Sequence, residues 1–200
     1  MSWKKQIPNY LTYFRIAVIP ALIVVFFAGN SGPDDSFYFL KGKWSYWLAA
    51  GLFALASITD WLDGYVARML EAQSNIGRFL DPIADKLLVA TALLLLVGES
   101  RANYADGHAM MLPAIAIVCR EILVSGLREY LAEIRIGVPV SRLAKWKTAA
   151  QMLAILLLLL GGGGPAWMHA GVLGNILLWV AAVMTLITGY AYLKTGLRHM

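Results

Sequence analysis

Long apolar runs alternate with short polar breaks along the whole chain. The runs span residues 11–29, 44–67, 79–98, 109–131, 143–161 and 171–193. Each approaches the roughly 20 residues that a helix needs to cross a bilayer. The pattern predicts six transmembrane helices joined by short loops, in one domain over residues 1–200, with no room for a separate soluble domain. Pro20 falls inside the first run and is expected to kink it. The most polar interruption, residues 60–85, joins the second run to the third.

Composition supports a membrane solvent. Of the 200 residues, 60% are hydrophobic and 14% charged, against about 25% charged in soluble domains. Mean hydropathy is +0.65. The fold expected is therefore all-α and integral to a membrane, with a polar cavity facing the cytoplasm. Basic residues set that orientation. Lys4, Lys5, Arg68, Arg78, Arg128, Arg135, Arg142, Lys145, Lys147, Lys194 and Arg198 fall on one side, and Lys41, Lys43 and Arg101 on the other. A net charge of +5 fits contact with anionic lipid headgroups. The cations are scattered among spans rather than gathered on a soluble basic face, so no nucleic-acid partner is expected.

The N-terminal run follows Lys4 and Lys5 but is long and lacks a small-residue cleavage site, so it is expected to stay as a span. Cys119, the sole cysteine, lies in a span and is expected to pack in the core. His108, His169 and His199 are too dispersed to pair on a metal. The Gly161–Gly164 run before Pro165 reads as a flexible turn, since no Lys-Ser/Thr follows to make a phosphate loop. Trp3, Trp44, Trp47 and Trp167 sit near span ends, as interfacial aromatic belts do.

Residues 60–85 carry the chemistry. Asp60 and Asp63 are three apart, and Asp81 and Asp85 four apart. On helices each pair projects from one face, about 5–6 Å apart at Cβ. Ionisable groups beside a bilayer are expensive and mark function. Four converging carboxylates call for positive charge among them, and one or two hard divalent cations supply it.

The spacing D-x2-D-G-x2-A-R-x8-G-x3-D-x3-D runs unbroken from Asp60 to Asp85. It resembles the signature of the CDP-alcohol phosphotransferase family. The resemblance implies that Asp60, Asp63 and Asp81 bind metal, as Mg²⁺ or Mn²⁺ and as two ions. It also implies that Asp85 is the catalytic base, touching one metal as well. Two metals can clamp the attacking and leaving oxygens of a displacement at phosphorus, and an aspartate among like charges suits proton transfer. Gly64 costs about 1 kcal/mol in a helix relative to Ala, which is reasonable where a ligand approaches the backbone. The family's glycine there meets the cytidine of the donor. Arg68, one helical turn on, suits a diphosphate, and Ser74 matches a donor-contacting position. Gly77 is read as a turn or packing residue at least as readily as a ligand contact, and Pro82 as an early helical residue.

Residues 8–15, PNYLTYFR, resemble the family's N-terminal donor-binding segment. Asn9 and Thr12 are expected to contact CDP-diacylglycerol. Arg15 has two readings, donor contact or snorkelling to headgroups.

Segments 119–133 and 141–152 resemble the bacterial branch of the family whose acceptor is sn-glycerol 3-phosphate. A phosphorylated acceptor needs cations, and Arg120, Arg128, Lys145 and Lys147 are the candidates, with Arg142 beside them. Arg120 and Arg128 are about 80° apart around a helix, whereas Lys145 and Lys147 are about 200° apart, so only one of those lysines can face inward. Lys145 is favoured because Arg142 shares its face. Glu121 and Glu129 are available to orient the arginines. The family resemblance also implies a homodimer.

The function expected is transfer of a phosphatidyl group from CDP-diacylglycerol to sn-glycerol 3-phosphate in a bacterial inner membrane. The alternatives are the same chemistry on inositol phosphate, serine or phosphatidylglycerol, and a divalent-cation transporter. A transporter would give no role to the Gly64–Arg68 pair.

Overall fold

A computed structural model describes residues 7–30, 42–70, 75–103, 108–134 and 142–197. Six long helices appear in it: α1 (Ile7–Asn30), α2 (Lys43–Leu70), α3 (Asn75–Asn103), α4 (His108–Glu133), α5 (Arg142–Gly163) and α6 (Ala170–Leu197). A 3-10 turn, Ala166–Met168, precedes α6. The helices start and end within a few residues of the apolar runs. α1, α4, α5 and α6 are long and apolar enough to cross a membrane. In α2 and α3 the uncharged, mainly apolar stretches, 44–58 and 87–98, are shorter, because each helix gives one end to the aspartate segment.

α3 begins at Asn75, so Pro82 lies inside the helix rather than in its first turn. It offers no N–H to the carbonyl four residues earlier, next to the aspartates it separates. α1 likewise continues past Pro20.

By internal contacts the chain divides into two units, Met1–Leu95 with Leu159–Gly171, and Leu96–Leu158 with Val172–Met200. In the first, α1 packs on α2. Leu22, Val25, Ala49 and Phe53 are buried there, and the rings of Phe26 and Tyr46 meet edge to face at 6.1 Å. In the second, α4, α5 and α6 bury Ile117, Val124, Ile155 and Leu178. Large apolar side chains such as Phe27, Leu94, Ile122 and Ile187 remain exposed on both units, as expected of helices whose outer solvent is lipid rather than water. Cys119 belongs to this outer surface; the expected core position is not found, because α4 turns that face outward.

The glycine run also departs from expectation. It is helical through Gly163, and Gly164 N–H closes the last turn on the Leu160 carbonyl at 2.7 Å. Its glycines let α2 approach closely. A Cβ on Gly162 would fall 2.3 Å from the Tyr46 ring, and the Trp47 indole N–H donates to the Gly163 carbonyl at 3.2 Å. Small residues at such contacts are what membrane helices use to pack.

Gly162→Ala should therefore destabilise the protein by about 1–3 kcal/mol through overpacking, seen as a lower thermal midpoint in detergent. Gly98→Ala, where an added Cβ meets nothing within 4 Å, should leave the midpoint unchanged or raised. Equal midpoints for the two variants would contradict the packing role.

Candidate active site

The first unit assembles three of the four signature aspartates around α1. Arg15 lies in the N-terminal half of α1 and is fully buried. Its Nη1 lies 3.2 Å from Asp60 Oδ1 on α2 and also donates to Asp85 Oδ1 on α3. One turn earlier on the same face, the buried Thr12 hydroxyl donates to Asp81 Oδ1. α1 thus presents a guanidinium and a hydroxyl, three residues apart, to carboxylates on two other helices. The arginine side chain is 1% exposed, while Asp60 and Asp85 are 38% and 37% exposed. The cation therefore stands behind the carboxylates, and their outer lone pairs stay accessible.

Burial of Arg15 removes the snorkelling reading and does not bear on donor contact. A snorkelling arginine keeps its head in water; this one is enclosed and ion-paired. A buried guanidinium is tolerable only with carboxylate partners of good geometry, and here one nitrogen, Nη1, faces two of them. Arg15 was not among the residues assigned to the site from sequence, because its partners lie far along the chain. The available signal was a charge inside an apolar span on the face of Thr12.

The backbone of Asp63, Gly64 and Arg68 is helical within α2, so Gly64 does sit in a helix. The side chains of Asn9, Asp63, Gly64, Arg68 and Arg142, and all of Ser74, lie outside the described residues.

The second unit gathers cations on a different carboxylate. Glu121 Oε1 on α4 accepts from Lys147 Nζ on α5 and lies 3.4 Å from Arg120 Nη1. Arg120 Nη2 also donates to Thr188 Oγ1 on α6 at 3.0 Å, and its guanidinium lies 5.9 Å from the Tyr192 ring centroid. Two cations share one carboxylate, so the cluster carries one formal positive charge in excess. The buried Arg120 Nε has no hydrogen-bond partner among the described residues, which leaves a donor for an anion.

Lys147 is 4% exposed, whereas Lys145 is exposed. This reverses the sequence preference for Lys145. The buried side of α5 runs through Lys147, Gln151, Ala154, Ile155 and Leu158, a helical stripe that excludes position 145, and Glu121 supplies the carboxylate that Lys147 needs. Arg128 is exposed, unlike Arg120.

Residues 5–187 match the sequence profile of the CDP-alcohol phosphatidyltransferases. The chain belongs to that family. Curated relatives extend the similarity over nearly the full length. A protein of Rickettsia felis is 45% identical over 194 residues, covering 97% of each chain. One of Pseudomonas fluorescens is 42% identical, covering 98% of this chain and 92% of its own. One of Haemophilus influenzae is 37% identical, covering 96% and 94%. All three are named CDP-diacylglycerol–glycerol-3-phosphate 3-phosphatidyltransferase.

Family members use divalent metal ions, and the acid site suits one. The donors on Asp60, Asp81 and Asp85 are hard oxygens, the type that Mg²⁺ and Mn²⁺ select. Two of them are close enough to share one guanidinium nitrogen. Among the described residues no group of three acidic, histidine or cysteine side chains is close enough to form a complete metal shell. The Asp63 carboxylate, the remaining member of the signature, lies outside those residues.

Removing the Arg15 charge should unbalance the site. Arg15→Met should lower stability by on the order of 3 kcal/mol, since it strands two carboxylates beside apolar helix surface. Arg15→Lys should recover only part of this, because the shorter, strongly hydrated ammonium does not fill the place of the buried guanidinium. Thermal unfolding in detergent with chelator present checks the order. A Met variant as stable as wild type would remove the ion pairs from the account.

Proposed function

We propose that the protein transfers the phosphatidyl group of CDP-diacylglycerol to sn-glycerol 3-phosphate, giving phosphatidylglycerol phosphate and CMP. The observation that carries the reading is the convergence of Asp60, Asp81 and Asp85 on α1 through Arg15 and Thr12. It is supported by family membership and by the names of relatives aligned over nearly all of the chain.

A hydroxyl oxygen of the acceptor attacks the phosphorus that bears the diacylglycerol. A new P–O bond forms there, the anhydride P–O bond breaks, and CMP leaves. Asp85 accepts the hydroxyl proton. Arg15 holds the Asp85 carboxylate by one oxygen, leaving the other for that proton. Thr12 fixes Asp81, and Arg15 fixes Asp60. Asp60, Asp63, Asp81 and Asp85 are the residues that would hold Mg²⁺ or Mn²⁺, two ions in all, whose role is to neutralise the diphosphate charge. Asn9, Gly64, Arg68 and Ser74 bind the donor; Thr12 joins them through Asp81.

The cations of the second unit bind the acceptor phosphate. Arg120 and Lys147 lead, on the strength of their excess charge and the unpartnered Arg120 Nε. Arg128 and Lys145, both exposed, contribute to the approach of the anion. The enzyme works as a homodimer, as a single-domain multi-pass protein of a bacterial inner membrane, with the aspartates on the cytoplasmic side. That orientation follows from the bias of basic residues.

The test is CMP release from CDP-diacylglycerol by purified protein over a panel of acceptors. Only sn-glycerol 3-phosphate should support rapid turnover, and chelation should abolish it. Asp85→Asn should cut kcat by about 10²–10⁴-fold at saturating Mg²⁺ while donor affinity stays near wild type. Turnover with serine or inositol phosphate instead would overturn the acceptor. A kcat within a few-fold of wild type would remove Asp85 as the base, and a parallel loss of donor affinity would make it mainly a metal ligand.

A further inference from the structure

α6 lies mostly beyond the segments that carry the family motifs, and its last two turns lie beyond the profile match at residue 187. Yet Arg120 makes more of its contacts to α6 than to its own helix. The Thr188 hydroxyl lies 2.9 Å from the Met184 carbonyl and 3.0 Å from that of Thr185. Its single proton is thus spent on its own backbone, and its lone pairs face Arg120 Nη2 as acceptors. Tyr192, one turn later and itself buried, offers a ring face to the same guanidinium. Between them is Gly189. A Cβ there would lie 2.9 Å from Arg120 Cγ and 3.3 Å from Nε. The missing side chain is the space in which the arginine stem lies. Gly196, seven residues on, admits Leu127 in the same way, its Cβ position being 2.6 Å from Leu127 Cδ1. The close α4–α6 seam is therefore independent of Arg120, and Gly189 alone is fitted to the arginine.

We propose that Thr188, Gly189 and Tyr192 are positioning residues for acceptor recognition. They fix the Arg120 guanidinium between Glu121 and α6, with its Nε–H free for the anionic oxygen of a phosphomonoester. The inference rests on the reading of Arg120 as an acceptor contact. Glu121 draws one Nη and Thr188 the other, so the fork cannot rotate without losing a hydrogen bond at one end. A shift of the stem displaces Nε from its place, and a charge-assisted contact to phosphate depends on that alignment.

Gly189→Ala and Thr188→Val test this, the first by pushing the stem and the second by removing the acceptor at nearly constant shape. Steady-state kinetics would vary sn-glycerol 3-phosphate and CDP-diacylglycerol separately, with Arg120→Gln in the same series and thermal midpoints measured alongside. Each α6 variant should raise the acceptor KM by roughly ten-fold, the loss of one hydrogen bond to a charged group. The donor KM should stay within about two-fold, which is under 0.5 kcal/mol, and the midpoint of Thr188→Val near wild type. If Arg120→Gln raises the acceptor KM and neither α6 variant does, α6 does not position the arginine and the inference fails while the acceptor reading stands. If Arg120→Gln leaves it unchanged, both fail. Equal rises in the two Michaelis constants, or a collapsed midpoint in both α6 variants, would indicate general disorder of the helix and also overturn the inference.

Discussion

A guanidinium enclosed among helices must be neutralised where it stands, and that requirement organises the first unit. Arg15 is fully buried and has no route to water. Carboxylates from two other helices come to it, Asp60 from α2 and Asp85 from α3. The same contacts solve the reverse problem. Like charges brought together for metal chemistry repel when the metal is absent, and a permanent internal cation lowers that cost. Arg15 stands behind the carboxylates rather than in front, so it balances their charge without closing the side on which their oxygens are accessible. Thr12 extends the arrangement by one helical turn to Asp81.

The second unit uses the same physics with the signs reversed. One carboxylate, Glu121, is shared by two cations. A charge excess remains in a partly enclosed place, and an anion is its natural complement. Each unit thus holds an excess of one kind of group: carboxylate oxygens around Arg15 in the first, and two cations on one carboxylate in the second.

Much of this was legible in the sequence. Apolar run lengths locate the helices, and the spacing from Asp60 to Asp85 names the chemistry. Three features were not legible, each for a physical reason. An arginine near the start of a span can snorkel or pair, and only the fold brings a partner 70 positions away. On α5 the apolar residues surround the helix, so periodicity cannot show which face is inward; the Glu121 carboxylate on α4 selects Lys147 over Lys145. On α6, Thr188 and Gly189 look like ordinary small residues of a membrane helix until Arg120 is seen lying across them. The glycine run at 161–164 misled in the opposite direction. Four glycines read as a loose turn, whereas their lack of side chains serves close packing against Tyr46.

The central claim is that Arg15 and the signature aspartates form one energetic unit. A double-mutant cycle measures it directly: equilibrium unfolding in detergent, without metal, of wild type, Arg15→Met, Asp85→Asn and the double variant. The account predicts a coupling on the order of 1–2 kcal/mol, as for charged groups in direct contact, with Asp85→Asn relieving part of the damage of Arg15→Met. Simple additivity of the two single changes would contradict it.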